Sequence, residues 1–364
     1  MITALEMDHR SLAARVDAGY RHRGWWFRYL VELAMVEALL GGAPAKPVGV
    51  LTDELAREPL RPGEAYALDR NLTRLRRVLA ARDLAVELPS PTPAGTAPPS
   101  TDPVRATAAL FGLDAVALRS LARAALRILP DLYAHVADHP VDWGTAVTGG
   151  PDQATRIREL AGRHVAVVEV AGADLLFRRW HELSPGRYVY LLDPTRTGNL
   201  LFHCQHLVHD GGHLRHLNAL ATSPHRGVPV ALPRQMLVGE AWAMADELTA
   251  LVDSGRVEVR DALVHAVFER FLRVELEVRV RWRGQRMDDA VAAMAERYPR
   301  AAASLGDQLL EFAGLPGFGL MHVAAMAGAA EFGCRLSGLG TRRPTLAAAL
   351  DRITSVLSAS PGPS

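Results

Sequence analysis

Residues 89–103 constrain the architecture most, because they divide the chain. Their sequence, PSPTPAGTAPPSTDP, contains too much Pro, Ser, Thr and Gly to form a regular helix or strand. The length of 364 residues also exceeds the ~250–300 residues at which a single core usually stops growing. We therefore predict an N-terminal unit at residues 1–90, a Pro-rich linker at 91–103 and a larger unit at 104–364.

The composition is that of an ordinary globular protein, with 49% hydrophobic and 22% charged residues. Lys plus Arg (41) and Asp plus Glu (40) leave a net charge of +1, which provides no broad attraction to nucleic acid or anionic lipid. We expect a small-molecule or short-peptide substrate instead.

Two cysteines are too few for a disulfide framework, and MITALEMDHR lacks an apolar signal segment, so we expect a cytoplasmic protein. The apolar stretch Leu315 to Ala330 is too short to span a bilayer, and we predict that it is buried.

Hydrophobic periodicity predicts a mainly α fold with a small β component. Apolar residues at three- and four-residue spacings predict an amphipathic helix from Trp25 to Leu40, which ends at Gly41 and Gly42. Further helices are predicted at 51–57, 69–81 and 107–139, and helical patterns prevail from residue 200 onward. Strands are predicted at 83–89, 164–170 and 187–194; in the last two, β-branched and aromatic residues dominate.

The order helix, helix, helix, strand within residues 25–90, with LTRLRRVLAARDL on the third helix, resembles the winged-helix dimerisation domain of small-molecule O-methyltransferases. This resemblance implies a homodimer. Methyl transfer is not implied, because no glycine-rich strand-to-helix turn for S-adenosylmethionine follows. A winged helix also serves to bind DNA, and the basic residues that would contact the DNA are Arg70, Arg74, Arg76 and Arg77. The near-zero net charge favours a solvated face or dimer surface over a nucleic-acid surface.

Histidines are concentrated in one segment of the larger unit. Five of the fourteen histidines lie in FHCQHLVHDGGHLRHL, at positions 203, 206, 209, 213 and 216. Their spacings of three and four residues return to one face of an α-helix. If the segment is helical, we expect one face to be lined with imidazoles.

The sequence HDGGH within this segment has the spacing of a metal site. His209 and His213 are four residues apart, which lets imidazoles from consecutive turns converge on one cation. Gly211 and Gly212 each cost ~1 kcal/mol in a helix relative to alanine, so we expect another part of the chain to approach this backbone closely. An open catalytic site needs a third protein ligand, and Glu240 is the candidate in the downstream stretch LVGEAWAMADEL.

HDGGHLRH followed 27 positions after His213 by GEAWAMADE resembles the thimet-oligopeptidase-like zinc peptidases, which are gluzincins with an HExxH motif. The resemblance covers about residues 200–250 and implies a zincin-like larger unit. It implies that His209, His213 and Glu240 bind a divalent metal, with Zn²⁺ expected first; Fe²⁺ is the alternative, because two histidines and a carboxylate also serve non-haem iron enzymes. It also implies functional roles for four other residues: Asp210 in the general-base position, His216, Glu247, and His322 where the family has tyrosines. Because aspartate replaces glutamate and those tyrosines are missing, we predict a poor general peptidase and consider a role in a biosynthetic pathway.

Three alternatives remain open at this level. LVHDGGH also resembles the HD-domain metal hydrolases. In that case His181 and either Asp246 or Asp253 would complete the ligand set, and the reaction would be a hydrolysis or an oxygenation. A winged-helix regulator that senses a metal or ligand would use the same histidines without catalysis. The histidines would also be explained by a metal-free structural cluster.

Overall fold

The computed structural model describes residues 23–57, 60, 62–91, 102–147, 152–171, 180–184, 186–223, 233–301 and 315–336. Residues 92–101, most of the predicted linker, lie outside the described residues. The described chain is mostly helical with a three-stranded sheet, which confirms the predicted mainly α fold with a small β component. No described helix is both long and apolar enough to cross a membrane.

Three helices begin the described chain: α1 (Arg23–Leu39), α2 (Ala45–Arg57) and α3 (Pro62–Ala81). The prediction that α1 is amphipathic is wrong, because every residue from Trp25 to Leu39 is buried. Part of its surface packs on α2 and α3, and other residues reach the sheet and a later helix. The charged residues of this buried helix include Arg28 and Glu32, which pair with each other at 2.7 Å.

The predicted strand at 83–89 is not formed. Residues 84–91 have no strand partner in the described chain, and Asp83 turns the backbone through a left-handed conformation (φ 51°) directly after α3. Leu84, Val86 and Leu88 pack against the helices of the N-terminal cluster. The alternate apolar residues of this segment therefore pack on one side of an unpaired segment and do not form a strand.

The predicted helix at 107–139 forms as two helices, α4 (Pro103–Phe111) and α5 (Ala115–Asp138). Asp102 caps α4 by accepting a hydrogen bond from the Arg105 amide. Gly112, in the left-handed conformation, ends α4, and Asp114 caps α5. A short helix, α6 (Gln153–Ala161), leads into the sheet.

The sheet contains β1 (Val165–Glu169), β2 (Trp180–Ser184) and β3 (Arg187–Leu192) in the order β1-β3-β2. The central strand β3 pairs parallel with β1, Val165 opposite Tyr188, and antiparallel with β2, Trp180 opposite Tyr190. Successive β3 side chains alternate between two apolar clusters: Val189 and Leu191 pack towards α1, and Tyr188, Tyr190 and Leu192 pack towards α6 and the histidine-bearing helix. The predictions of strands at 164–170 and 187–194 are confirmed.

Helices dominate from Leu200, as predicted. After a 3₁₀ turn (Pro194–Arg196), a π-helical stretch (Phe202–His209) continues directly as α7 (Asp210–Ala221). Helix α8 (Pro233–Asp253) comes next, and then α9 (Val257–Glu277), which continues as a second π-helical stretch (Val278–Trp282). The last described elements are α10 (Met287–Arg297), a 3₁₀ turn (Pro299–Ala301) and α11 (Phe318–Leu336). Helix α11 begins in the stretch predicted to be buried, and its residues from Phe318 to Met326 are buried. Helices α7, α8, α9 and α11 surround the histidine cluster.

Candidate metal centre

A π-helical stretch determines which histidines face the centre. The amide of Asp210 donates to the Gln205 carbonyl, five residues back, instead of four. This register differs from that of α7, so the five histidines do not line a single face. His206 packs against the Phe202 ring, with the two ring centroids 5.2 Å apart. At His203, burial and the charge of Arg256 lower the pKa of the imidazole. His209 and His213 lie one α-helical turn apart and converge.

Glycines bring α7 and α8 into close contact, and the close approach predicted for the Gly211–Gly212 backbone is made by α8 at Gly212. A Cβ atom on Gly212 would lie 2.5 Å from the Cα of Ala243 and 2.8 Å from the carbonyl oxygen of Trp242. Conversely, a Cβ on Gly239 of α8 would lie 3.3 Å from Nδ1 of His213 and 3.2 Å from Nδ1 of His216. The absence of side chains at these two positions lets Glu240 of α8 lie opposite the histidines of α7.

His209, His213 and Glu240, here called the metal group, could hold a metal ion; one potential ligand atom from each lies within 4.8 Å of the other two. The Nε2 atoms of the two histidines are 3.1 Å apart. The Glu240 carboxylate places Oε2 3.6 Å from Nε2 of His209 and Oε1 3.5 Å from Nε2 of His213. Ligand atoms bound to one tetrahedral zinc ion at ~2.0–2.1 Å lie ~3.3 Å from each other. The observed separations match that arrangement.

The buried Glu240 Oε2 atom provides an independent test of fit. This atom is inaccessible to solvent, yet within the described residues it accepts no hydrogen bond. A buried carboxylate oxygen without a partner costs free energy unless a charge or donor compensates it. Nε2 of His209 and Nε2 of His322 lie 3.6 and 3.8 Å from it. A cation bound between these groups would compensate the carboxylate.

A second carboxylate, that of Glu247, contacts the Nδ1 atom of His209, whereas Nε2 of the same ring faces the metal group. Nδ1 of His209 lies 3.1 Å from Oε1 of Glu247. Glu247 is in turn held by both terminal nitrogens of Arg270, at 2.5 and 2.8 Å. When Nδ1–H donates to this carboxylate, Nε2 presents its lone pair to the metal group, as in carboxylate–histidine–zinc arrangements.

The electrostatics of the centre favour a cation. Burial opposes ionisation of Glu240, but His209 and His213 outweigh it and hold the pKa of Glu240 well below its usual range. Burial likewise opposes a charge on His209, yet Glu247 and Glu240 outweigh it and raise the pKa of His209. In Glu247, Arg270 and His209 outweigh burial and lower the pKa to about 2. Two buried carboxylates therefore stay ionised around the position that a metal would occupy.

Asp210, predicted in the general-base position, is held by the sheet. The hydroxyl of Tyr190, a fully buried residue of β3, donates to Oδ2 of Asp210 at 3.0 Å. One oxygen of this carboxylate is thus used to bind the neighbouring strand. Trp180 of β2 lies on the same side of the sheet, with its ring 5.4 Å from that of His213.

His322 reaches the centre from α11, and His216 lies at its edge. Burial lowers the pKa of His322 to about 3, so this imidazole is neutral at neutral pH. Its Nδ1–H donates to the Phe318 carbonyl (2.8 Å), which leaves Nε2 as an acceptor 3.8 Å from Glu240 Oε2. His216 lies beside Gly239 and 6.0 Å from the Trp242 ring, and burial, followed by His213, lowers its pKa to about 4.

Two residues of the HD-type alternative have other partners in the structure. His181 stacks on Tyr29 of α1 (centroids 5.1 Å apart), and Asp246 pairs with Arg215. Sequence reasoning missed Arg270 and Tyr190. Neither has a local signal, because Arg270 lies 23 residues after Glu247 on the next helix, and Tyr190 is one aromatic residue within a buried strand.

No family model, curated protein or solved structure matches this chain.

Proposed function

We propose that this chain is a metal-dependent enzyme that holds a divalent ion, Zn²⁺ or Fe²⁺, in the metal group and acts on a small molecule or short peptide. The observation that carries this proposal is the convergence of three ligand residues with neighbouring separations of 3.1, 3.5 and 3.6 Å. Three protein ligands leave a fourth position for water or substrate, which distinguishes catalytic from structural zinc sites. The larger unit would be zincin-like, and the N-terminal unit a winged-helix-like dimerisation module.

A bound divalent ion would supply Lewis acidity and a more acidic water molecule. The protein residues would then provide orientation and proton acceptors. Glu247 fixes the ring of His209, and His322 offers the unprotonated Nε2 atom as an acceptor beside the metal group. In that protonation state, His322 cannot donate a hydrogen bond to an oxyanion, which is the role that the missing tyrosines have in the resembling peptidases.

Asp210 would be a poor substitute for the peptidase glutamate. Its side chain is one methylene shorter, so its carboxylate would reach ~1–1.5 Å less far towards the metal group than a glutamate carboxylate, and general-base catalysis depends on hydrogen-bond reach. Its Oδ2 atom is also used by the Tyr190 hydroxyl. Asp210 therefore suits substrate positioning or orientation of the helix better than peptide hydrolysis.

The test is whether the centre has an open coordination position. The protein would be loaded with Co²⁺, and its visible spectrum would be followed during titration with acetohydroxamic acid, which chelates metals through two oxygen atoms as its monoanion. We expect a saturable spectral change that is lost in His213→Ala and retained in His216→Gln, a matched change one turn later on the same helix. A Co²⁺ spectrum that acetohydroxamate leaves unchanged would indicate a closed structural site and contradict the proposal.

A further inference from the structure

A buried carboxylate at the end of α9 holds the start of α11. Glu277 accepts hydrogen bonds from the backbone amides of Gly317, of Gly319 at 3.0 Å and of Leu320 at 3.4 Å. The first amides of a helix have no acceptor within that helix, so Glu277 replaces the usual capping residue. Nε of Arg281 lies 3.5 Å from its Oε1 atom. Burial raises the pKa of Glu277, and these four donors oppose that rise.

A glycine lets α11 lie close enough to α9 for these bonds. A Cβ atom on Gly319 would lie 2.5 Å from the carbonyl oxygen of Arg273 and 2.9 Å from the amide nitrogen of Val274. Both are backbone atoms of α9, about one turn before Glu277. The two backbones are therefore in direct contact, and α9 sets the position of the first turn of α11.

One peptide group joins Glu277 to His322. The amide of Gly319 and the carbonyl of Phe318 belong to the same planar trans peptide, so they point in opposite directions. On one side, the amide donates to Oε2 of Glu277 at 3.0 Å. On the other side, the carbonyl accepts from Nδ1 of His322 at 2.8 Å. A carboxylate bound to the amide polarises the carbonyl, which makes it a better acceptor and favours the proton on Nδ1.

The proton on Nδ1 determines what His322 offers to the metal group. Nε2 of the neutral ring then carries a lone pair and accepts a hydrogen bond. This atom lies 3.8 Å from Oε2 of Glu240, and it has no hydrogen-bond donor in the part of the chain that the structure describes. His322 therefore presents an unused acceptor beside the metal group.

We infer that Glu277 is a positioning residue of the metal centre: through the Phe318–Gly319 peptide it holds His322 with Nδ1 protonated and Nε2 presented as an acceptor to a molecule bound at the metal. This inference rests on the proposed function, which supplies the bound molecule. Glu247 contacts Nδ1 of His209 directly, at 3.1 Å. Two carboxylates therefore orient two histidines of the centre, one by direct contact and one through a peptide group.

The test observes the His322 ring by nuclear magnetic resonance in the full chain with ¹⁵N-labelled histidine. The signals are assigned by their loss in His322→Gln. In the wild type, with and without zinc, we expect a proton on Nδ1 and none on Nε2. Glu277→Gln keeps the size of the side chain but removes its charge. The Nδ1 proton should then exchange with water about fivefold faster, the factor that one net hydrogen bond contributes.

Glu275→Gln is the matched control. Glu275 is also buried on α9 and is also held by donors, Arg279 at 2.7 Å and the Tyr298 hydroxyl at 3.0 Å. Its described hydrogen bonds and ion pairs do not involve α11. This variant removes the same charge, and it should lower stability without changing the exchange of the His322 proton. Equally faster exchange in both variants would show general loosening of the fold and overturn the inference.

The wild type decides the question if Glu277→Gln does not fold. The amides of Gly317 and Gly319 should exchange slowly, because Glu277 supplies the acceptor that first-turn amides otherwise lack. Rapid exchange of both amides, or a proton on Nε2 of His322, would overturn this inference and leave the proposed function standing. Failure of the wild type to take up zinc would overturn the proposed function, and with it the role of His322, whatever the position of the ring proton.

Discussion

Gly212→Ala should damage the metal centre by separating two helices. The added Cβ would lie 2.5 Å from the Cα of Ala243, 2.8 Å from its amide nitrogen and 2.8 Å from the Trp242 carbonyl oxygen. All three are backbone atoms of α8, so no side-chain rotation relieves the contact. Carbon atoms pack optimally at ~3.5–4.0 Å. Helices α7 and α8 must therefore move apart by about 1 Å.

This displacement affects folding and metal binding to different extents. Forcing an extra methyl group into a packed interior costs ~1–3 kcal/mol, and the better helix propensity of alanine offsets ~1 kcal/mol of that cost. The effect on the metal should be larger, since ligand distances tolerate only ~0.2 Å. His213 directly follows Gly212, and Glu240 lies one turn before Ala243. We expect zinc affinity to fall at least about tenfold.

Gly211→Ala is the matched control. Among the described residues, its Cβ would meet only Cδ1 of Leu160, at 3.0 Å, which is the end of a flexible side chain. This variant should bind zinc like the wild type and unfold at an equal or slightly higher urea concentration. Zinc affinity would be measured by competition with a chromophoric chelator, and stability by urea unfolding with the metal removed. Wild-type zinc affinity in Gly212→Ala, or equal losses in both variants, would refute the close-packing argument.

Four further predictions concern the centre and the assembly. Glu247→Gln should lower zinc affinity ~10–100-fold, the usual effect of removing a carboxylate that orients a ligand histidine; unchanged affinity in chelator competition would contradict that role. Because the pKa of Glu247 is lowered from 4.5 to about 2, its contribution to stability is present above pH 4.5 and lost as the pH falls towards 2. Metal-free wild type should therefore lose stability over this range more steeply than Glu247→Gln, whereas parallel urea-unfolding curves would count against the shift. Asp210→Asn should retain zinc, and the wild type should cleave generic peptides poorly; efficient, chelator-sensitive cleavage would overturn this expectation. In sedimentation experiments, we expect the full chain to be a homodimer, and a monomer at high concentration would refute self-association.

Local patterns predicted the parts of the structure that depend on local geometry. The four-residue separation of His209 and His213 predicted their convergence, because it reflects the pitch of one helix. The glycine pair predicted a close approach to this backbone by another part of the chain, which Ala243 makes at Gly212. The spacing to Glu240 required a resemblance to a known motif, since it crosses from one helix to the next.

Tertiary features were not predictable in the same way. Arg270 holds Glu247 from a different helix, and no spacing rule connects the two residues. The complete burial of α1 depends on contacts with elements far along the chain: Trp25, for example, packs against Phe318, with ring centroids 5.7 Å apart. The register change in Phe202–His209 has no propensity signal, so the prediction of one histidine-lined face could not account for it.

Elemental analysis of three proteins purified without chelators tests the central claim most directly. The wild type should contain about one equivalent of zinc or iron, His213→Ala should contain essentially none, and His216→Gln should retain it. His216 is the matched control, because it is also buried and lies one turn away on α7, against Gly239 instead of Glu240. A metal-free wild type that does not take up added zinc, or a His213→Ala variant that binds it as well as the wild type, would contradict the metal centre.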